Sequence, residues 1–455
     1  MKPRAHHDTP VDEAVLRRWI ADCDPQMPID PSDQRYFDLN QVVVGGETLS
    51  LRGDDHIEVL YDGITLSEGR SCHLFSGFSG TGKSTELRRL AHLLESEGYS
   101  VLLVNALDYH NLNHALAIED LLVIIAGAFG EATVARLGKG VLKEGSYWRR
   151  LVEFLKKEVQ LGDVKLPLGI ADLKIGIKHA KSFWLQVREA LAMSPGKLRQ
   201  HSHGFIQRCV ATIDEMESPS RGVVFVLDSL ERLSAPVPHF AEVMDSVVQV
   251  FSDSPEFLRL PDCHVIYTVP PYVHLVNPAL KARYDRASLV LPAVKVLERG
   301  ESFEPWRPGI DALAELVGRR IPLDQVFGPR RDLLDKVVIY SGGHIRTLIW
   351  FVREILYRAR RKGFPPSEDD IERAVQPFRE QARMAIWRES VPLLEHVRTT
   401  GTVDAIGKED YPYLARFMDE FVVLCYRNGD GWYEVHPLVR EFVRELAAEN
   451  RNDEQ

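Results

Sequence analysis

The stretch that decides the fold of this chain is CHLFSGFSGTGKSTELRRL, residues 72–90. It opens with a short, largely apolar run, and from Leu87 to Leu94 apolar residues recur at the spacing of an amphipathic helix. Between them, GFSGTGKS fits the pattern G-x-x-x-x-G-K-[ST], whose glycines let backbone N–H groups curl around phosphate oxygens. A strand before the pattern and a helix after it argue against a chance match. The sequence therefore predicts a phosphate-binding loop.

Each residue type in this loop has a chemical reason. Lys83 would supply a positive charge to the β- and γ-phosphates, and Ser84 would offer a hydroxyl to Mg²⁺. The helix that follows would turn its positive N-terminal end toward the same anion. The residues predicted to hold the nucleotide are Gly77, Phe78, Ser79, Gly80, Thr81, Gly82, Lys83, Ser84 and Thr85.

A second motif, VVFVLDSLERL, follows at residues 223–233. A buried strand that ends in an acid would place Asp228 beside the phosphate loop, where it could hold Mg²⁺ through water. Glu231 is the nearest carboxylate that could orient an attacking water. It could equally begin a solvated helix with Arg232, and the sequence leaves both alternatives open.

Two further residues are candidates for sensing the nucleotide. Thr268 lies near the end of the apolar run VIYTV, in a strand expected between the two motif strands, although a β-branched residue is also ordinary there. Arg346 follows Gly342-Gly343 in the first turn of a long predicted helix. It could reach back over a nucleotide, or it could be an ordinary surface arginine.

The rest of the chain sets these motifs in an α/β architecture. Apolar runs at 72–76, 101–106, 223–228, 265–269 and 287–292 alternate with helical stretches, which predicts a doubly wound parallel sheet. About 120 residues separate the second and third runs, too many for one crossover. We therefore expect an insertion.

The insertion is placed at residues 135–205 and carries two local predictions. Alternating apolar residues predict a small hairpin at 166–177. A basic helix is predicted at 147–159, either solvated or available to a partner. Near the C-terminus, FVVLCYRNGDGWYEV at 421–435 predicts a second hairpin around its NGDG turn.

Composition narrows the class of protein. A length of 455 residues exceeds a single core, and a net charge of −10 offers no global attraction to nucleic acid or anionic lipid. Five scattered cysteines without CxxC spacing disfavour a disulfide framework or a zinc site. The longest apolar run is far too short to span a membrane, and the first ten residues lack the apolar core of a signal peptide. We expect a soluble, cytoplasmic, multidomain protein.

The order of these motifs resembles that of the AAA+/STAND group of P-loop ATPases, over roughly residues 50–445. It is most similar to the branch shared by origin-recognition ATPases and STAND switches. The resemblance implies that residues 77–85 form Walker A, Asp228 ends Walker B, Thr268 is sensor 1 and Arg346 is sensor 2. The box LRGDD at 51–55 would lie beside the adenine. The implied ligands are ATP and Mg²⁺.

The resemblance also implies an architecture and domain boundaries. The expected sheet order is 5-1-4-3-2, with a helical lid and a C-terminal winged-helix domain whose wing is the hairpin at 421–435. The expected domains are an N-terminal lead-in at 1–50, a P-loop core at 51–304, a helical lid at 305–385 and a winged-helix-like domain at 386–455.

This chain departs from the group's pattern at two places. AAA+ proteins usually follow the Walker B aspartate with Glu, but Ser229 stands there, so we expect slow hydrolysis. Arg283 and Arg286 lie in the region of the arginine finger without a specific signature, and the finger stays unassigned.

Three functions compete. The first is a slowly hydrolysing ATPase that acts as a nucleotide-dependent switch or assembly platform, with a protein partner or self-assembly. The second is a winged-helix DNA-binding loader or regulator. Residues 387–455 carry eight Lys and Arg against fourteen Asp and Glu, which disfavours contact with nucleic acid. The third is a small-molecule kinase, which would not need the three strand motifs or the GG-x-x-R helix.

Overall fold

The computed structural model describes residues 11–109, 115–142, 145–158, 185, 188–189, 191–192, 194–218, 220–233, 239–300, 304–404, 406–428 and 430–453. The chain divides into two compact units. The sheet unit comprises His56–Gly77 and Glu86–Val290, and the helical unit comprises Met1–Asp55, Phe78–Thr85 and Leu291–Gln455.

The strands are β1 Val42–Val44, β2 Glu47–Leu49, β3 Cys72–Gly77, β4 Ser100–Asn105, β5 Val223–Asp228, β6 Cys263–Val269, β7 Arg286–Leu291, β8 Val423–Asn428 and β9 Asp430–Val435. Helices of the first half are α1 Glu13–Asp22, α2 His56–Thr65, α3 Lys83–Ser96, α4 Ile118–Leu137, α5 Tyr147–Glu158, α6 Pro195–Met216, α7 Phe240–Asp253, α8 Pro255–Leu258 and α9 Tyr272–Val276. Those of the second half are α10 Arg307–Gly318, α11 Leu323–Val326, α12 Arg331–Tyr340, α13 Ile345–Lys362, α14 Glu368–Met384, α15 Val391–Thr400, α16 Tyr411–Asp419 and α17 Pro437–Asp453.

The sheet unit is built on five strands in the order β4-β5-β6-β3-β7. Counted from the strand before the phosphate loop, this is the order 2-3-4-1-5, so the predicted order is confirmed. The pairs β4–β5, β5–β6 and β3–β6 are parallel. Strands β3, β5 and β6 are buried along their whole length, as their apolar runs predict. At the edge of the sheet, β4 leaves Leu103 38% exposed.

Helices α4, α5 and α6, in and beside the predicted insertion at 135–205, complete the sheet unit. Helix α4 is buried from Glu119 to Gly130, and its Phe129 ring stacks on Phe225 of β5 with centroids 5.0 Å apart. Helix α6 packs along α4, and Gly130 admits Phe205 there, because a Cβ atom on Gly130 would lie 2.8 Å from that ring. The basic helix predicted at 147–159 is α5. The hairpin predicted at 166–177 lies outside the described residues.

The helical unit contains the helices expected between residues 305 and 385, namely α10 to α14. Their apolar faces form one core with Leu16 and Trp19 of α1. The apolar spacing of α13 predicts a buried face. Leu348, Val352, Ile355 and Leu356 on that face are buried, and Ile345 is half-buried. After α14 the chain forms α15, α16, the antiparallel hairpin β8–β9 and α17. The hairpin predicted at 421–435 is therefore present, and the domain boundaries remain predictions.

Within the described part of the chain, no helix is both long enough and apolar enough to cross a membrane.

Candidate functional site

The phosphate loop begins where β3 ends, at Gly77, and continues into α3 at Lys83. Four consecutive main-chain carbonyl groups in this loop, those of Phe78, Ser79, Gly80 and Thr81, each accept hydrogen bonds. The donors come from the loop itself and from two distant segments of the helical unit.

The carbonyl oxygen of Phe78 is bonded from within the loop. Lys83 Nζ donates to it at 2.8 Å, and Thr81 donates through Oγ1 at 2.9 Å and through its main-chain N–H at 3.3 Å. Lys83 is only 3% exposed. The ammonium group of Lys83, predicted to bind phosphate, therefore lies against the loop backbone.

The next two carbonyls are bonded by the start of α13. His344 Nε2 donates to the Ser79 oxygen at 2.7 Å, and the main-chain N–H of Arg346 donates to the Gly80 oxygen at 3.1 Å. The Arg346 side chain also donates to Ser79 Oγ at 2.7 Å. Arg346 therefore lies against the loop and is not an ordinary surface arginine, although its role as a sensor remains a prediction.

The fourth carbonyl, that of Thr81, accepts from Arg52 Nη2 at 2.6 Å. Arg52 belongs to the LRGDD box and is 1% exposed. A buried guanidinium is costly unless hydrogen bonds compensate it, and here a loop carbonyl contributes one of them.

These bonds explain why the loop needs glycine at two positions. Gly80 has φ +90°, and a Cβ atom there would lie 2.6 Å from Arg346 Cβ and 2.9 Å from the His344 ring. Gly82 has φ +99°, a backbone conformation that residues with a side chain rarely adopt. Donors on the carbonyls fix the peptide planes, and the glycines let the backbone curl around phosphate oxygens without side-chain clash. The residues present thus fit a bound phosphate chain.

The protonation state of His344 follows from its partners. Its Nδ1 accepts from the Thr347 N–H at 3.3 Å and lies 2.6 Å from Thr347 Oγ1, so Nε2 carries the proton that reaches Ser79. Burial lowers the pKa of His344 to about 3, so its imidazole is neutral. One side chain therefore caps α13 and bonds the phosphate loop.

Of the two hydroxyl residues that follow Lys83, Thr85 makes a hydrogen bond to the N-terminal segment. Thr85 Oγ1 accepts from the main-chain N–H of Ile29 at 3.2 Å, which ties the start of α3 to the N-terminal segment. This bond gives Thr85 a structural task, and the role of Ser84 as a ligand of Mg²⁺ remains a prediction from its place in the motif.

A second group of predicted residues lies in the sheet unit, at the carboxyl ends of β5 and β6. Asp228 Oδ1 accepts from the Ser229 N–H at 2.7 Å. Thr268 Oγ1 accepts from the Leu230 N–H at 3.1 Å, which joins β6 to the turn after β5. Glu231 lies in that turn and is 7% exposed, so it does not begin a solvated helix. The structure brings Asp228, Glu231 and Thr268 together, and their catalytic roles remain predictions.

Ser229, which stands where AAA+ proteins usually have Glu, adopts φ +73°. Residues other than glycine rarely adopt this left-handed backbone conformation. Of the two candidate arginine fingers, Arg283 donates to the main-chain carbonyl of Ser252. Arg286 begins β7, and neither assignment gains support.

The sequence did not indicate that Arg52 and His344 donate hydrogen bonds to the phosphate loop. Arg52 lies in a box assigned to the adenine, and His344 fills the ordinary position before a helix. The sequence gives one signal for His344, because a residue that accepts from the helix N–H groups is expected before Ile345.

No family model matches the chain. No curated protein matches it. Among solved structures it is similar to Cdc6p from Pyrobaculum aerophilum, with 12% identity and a TM-score of 0.36, over 94% of this chain and 98% of that one. It is similar to the ORC2 protein of Aeropyrum pernix in ADPNP–ADP complexes, with 16% identity and a TM-score of 0.38, over 87% and 94%.

The chain is also similar to Drosophila ORC bound to DNA, with 12% identity and a TM-score of 0.38, over 98% and 96%. TM-scores this low transfer no residue role to this chain.

Proposed function

We propose that this protein binds Mg-ATP at residues 77–85, hydrolyses it slowly and acts as a nucleotide-dependent conformational switch or assembly platform. The observation that carries the proposal is the phosphate loop with its four bonded carbonyls. These bonds fix the peptide planes of the loop, so little free energy is spent on ordering it when an anion binds.

The residues are assigned as their motifs predict. Lys83 would leave the Phe78 carbonyl for the β- and γ-phosphates, and Ser84 and Asp228 would hold Mg²⁺, which supplies charge neutralisation when bound. The Arg346 side chain would give up its bond to Ser79 Oγ and bind the terminal phosphate instead. That exchange would couple the nucleotide to α13 and so to the helical lid.

A switch, in preference to a fast ATPase, is supported by the turn after Asp228. Ser229 occupies the position of the usual glutamate in a left-handed conformation, which leaves Glu231 as the nearby carboxylate. We propose a cytoplasmic location, with a protein partner or a further copy of the chain as the binding partner.

The acidic balance of residues 387–455 supports a regulatory role for the winged-helix-like region over contact with DNA. Electrostatic attraction to the phosphate backbone dominates the affinity of most DNA-binding proteins, and this segment carries an excess of acids.

The proposal is tested by the sedimentation coefficient of the protein with Mg-ADP and with a non-hydrolysable Mg-ATP analogue. We expect different values in the two states for the parent and a single value for Lys83→Ala. An exposed lysine replaced in the same way, Lys139→Ala, is the matched control and should behave as the parent does.

Identical sedimentation of the parent in both nucleotides would refute the switch. Salt-sensitive binding of a duplex DNA, lost on deletion of residues 387–455, would favour the loader alternative.

A further inference from the structure

We infer that the β8–β9 hairpin sets the shape of the phosphate loop through two positioning residues, His344 and Arg52. This inference rests on the proposed binding of Mg-ATP and adds how the affinity of that site is controlled. The hairpin reaches the two residues by separate routes, and both routes lie within the helical unit.

The first route runs through the turn before α13. The Phe421 ring, just before β8, lies against the His344 imidazole with centroids 4.4 Å apart. Tyr426 Oη, on β8, donates to the carbonyl oxygen of Gly342 at 2.7 Å. Tyr426 is buried and stacks on Trp432 of β9, so the whole hairpin fixes its position.

This turn packs closely against the hairpin. Gly342 has φ +59°, and a Cβ atom there would lie 2.5 Å from Leu424 of β8. Gly343 has φ +72°, and its carbonyl accepts from the Val294 N–H at 3.1 Å. The neighbouring Ala293 N–H donates to the Cys425 carbonyl at 2.9 Å. Residues 341–344 are therefore packed between β8 and the segment 293–294.

The second route runs through the LRGDD box. Gly53 has φ +80°, and a Cβ atom there would lie 2.9 Å from the main-chain oxygen of Arg427 on β8. Arg427 Nη2 also lies 3.3 Å from Asp54 Oδ2. Gly53 immediately follows Arg52, the donor to the Thr81 carbonyl. The hairpin thus contacts the backbone beside the second positioning residue.

The physical consequence concerns the loop carbonyls. His344 and Arg52 hold the carbonyls of Ser79 and Thr81, on either side of Gly80. Glycine peptides rotate easily, so an unheld carbonyl could turn inward, where it would repel phosphate. Removal of a hairpin contact to His344 or to the backbone beside Arg52 should therefore loosen the loop and weaken ATP binding.

The test replaces Tyr426 with Phe, which removes only the hydroxyl that bonds Gly342. The matched control is Tyr284→Phe, because Tyr284 is also buried and donates to a main-chain carbonyl, that of Phe251, at 2.8 Å. We measure the Kd for Mg-ATP by calorimetry and the deuterium exchange of the loop amides without nucleotide.

We expect Tyr426→Phe to raise the Kd by about threefold or more relative to Tyr284→Phe, the effect of one lost hydrogen bond. Exchange at residues 78–82 should also rise in Tyr426→Phe and not in the control. If Tyr426→Phe does not fold, Phe421→Leu removes the ring from His344, and the same two results are expected.

A double-variant cycle separates the route from general destabilisation. His344→Asn keeps an acceptor for the α13 N–H groups but is too short to reach Ser79. If the hairpin acts through His344, Tyr426→Phe should change the Kd by less than about twofold in the His344→Asn background.

Three experimental outcomes would overturn the inference. Equal Kd and exchange in Tyr426→Phe and Tyr284→Phe, with binding lost in Lys83→Ala, would overturn the inference and leave the proposed function standing. Full additivity of Tyr426→Phe and His344→Asn would also overturn it. A parent protein that does not bind Mg-ATP would remove both the inference and the proposed function.

Discussion

His344 Nε2 donates a hydrogen bond of 2.7 Å to the carbonyl oxygen of Ser79, 265 positions earlier in the chain. The same imidazole accepts from the Thr347 N–H at the start of α13. A neutral ring with one donor and one acceptor nitrogen can make both bonds, whereas an imidazolium ion cannot accept. The join between the phosphate loop and α13 therefore depends on the neutral form of His344.

This dependence predicts how stability changes with pH. Burial lowers the pKa of His344 to about 3 in the folded protein, against 6.5 in the unfolded chain. Below pH 6.5 the unfolded chain binds the proton and the folded protein does not, so stability falls as the pH falls toward 3. His436 has the same shift from the same cause. The melting temperature should drop between pH 7 and pH 5.

In His344→Asn one of these protonation events is absent. The free energy of unfolding should therefore fall less steeply as the pH falls, by up to about 1.4 kcal/mol per pH unit at the steepest point, and the melting temperature should fall less. Thermal melts at matched ionic strength, from pH 7 to pH 5, measure it. An identical pH dependence in the variant and the parent would contradict the neutral, buried imidazole.

The motif position of Ser84 and the bond of Thr85 to Ile29 predict different effects of replacing each hydroxyl. In Ser84→Ala, the Kd for ATP with Mg²⁺ should rise to the value measured in EDTA, because the hydroxyl assigned to the ion is gone. Thr85→Val removes the acceptor for the Ile29 N–H and should lower the melting temperature while Mg²⁺ still strengthens ATP binding. Calorimetry with and without Mg²⁺ distinguishes the two. A normal Mg²⁺ effect in Ser84→Ala would withdraw the assignment.

The bond from the Leu230 N–H to Thr268 Oγ1 predicts a positioning effect on the turn that carries Glu231. Thr268→Val leaves a buried N–H without its acceptor, which costs about 1–3 kcal/mol, and ATP turnover should fall as the turn shifts. Thr268→Ser keeps the hydroxyl and is the control. Steady-state turnover and melting temperature are the measurements, and equal turnover in the Val and Ser variants would remove Thr268 from the site.

Glu231 is predicted to orient the attacking water, at a turnover below the typical enzyme value of about 10 per second. Glu231→Gln keeps the shape of the side chain and removes its negative charge, so hydrolysis should stop while ATP stays bound. A filter-binding assay with labelled ATP and a phosphate-release assay measure the two quantities. Glu215→Gln, on the exposed face of α6, is the control. Unchanged phosphate release in Glu231→Gln would leave the base unidentified.

Much of the fold could be predicted because its signals are local or periodic. The buried runs that became β3, β5 and β6 need apolar residues throughout, and the order of motifs then implied the sheet order. Strand β4 was harder, since an edge strand exposes residues such as Leu103 that the same apolar run predicts to be buried.

The hydrogen bonds that Arg52 and His344 donate to the phosphate loop could not be predicted from the sequence. Hydrogen bonds from Arg52 and His344 go to main-chain carbonyls, which every residue carries, so no residue type in the loop signals them. Arg346 could be proposed because its motif carries a side-chain signature. The hairpin at 421–435 was predictable from its turn, but its contacts with Gly342 and Gly53 depend on tertiary packing alone.

The central claim is that residues 77–85 form a Mg-ATP site in which Lys83 supplies the cation. Isothermal titration of Mg-ATP into the parent, Lys83→Ala and Lys139→Ala tests it most directly. We predict one site per chain in the parent and in Lys139→Ala, and a Kd at least about a hundredfold weaker in Lys83→Ala, since a charge-assisted bond to phosphate is lost in a buried setting. The same Kd for Lys83→Ala and the parent would contradict the account.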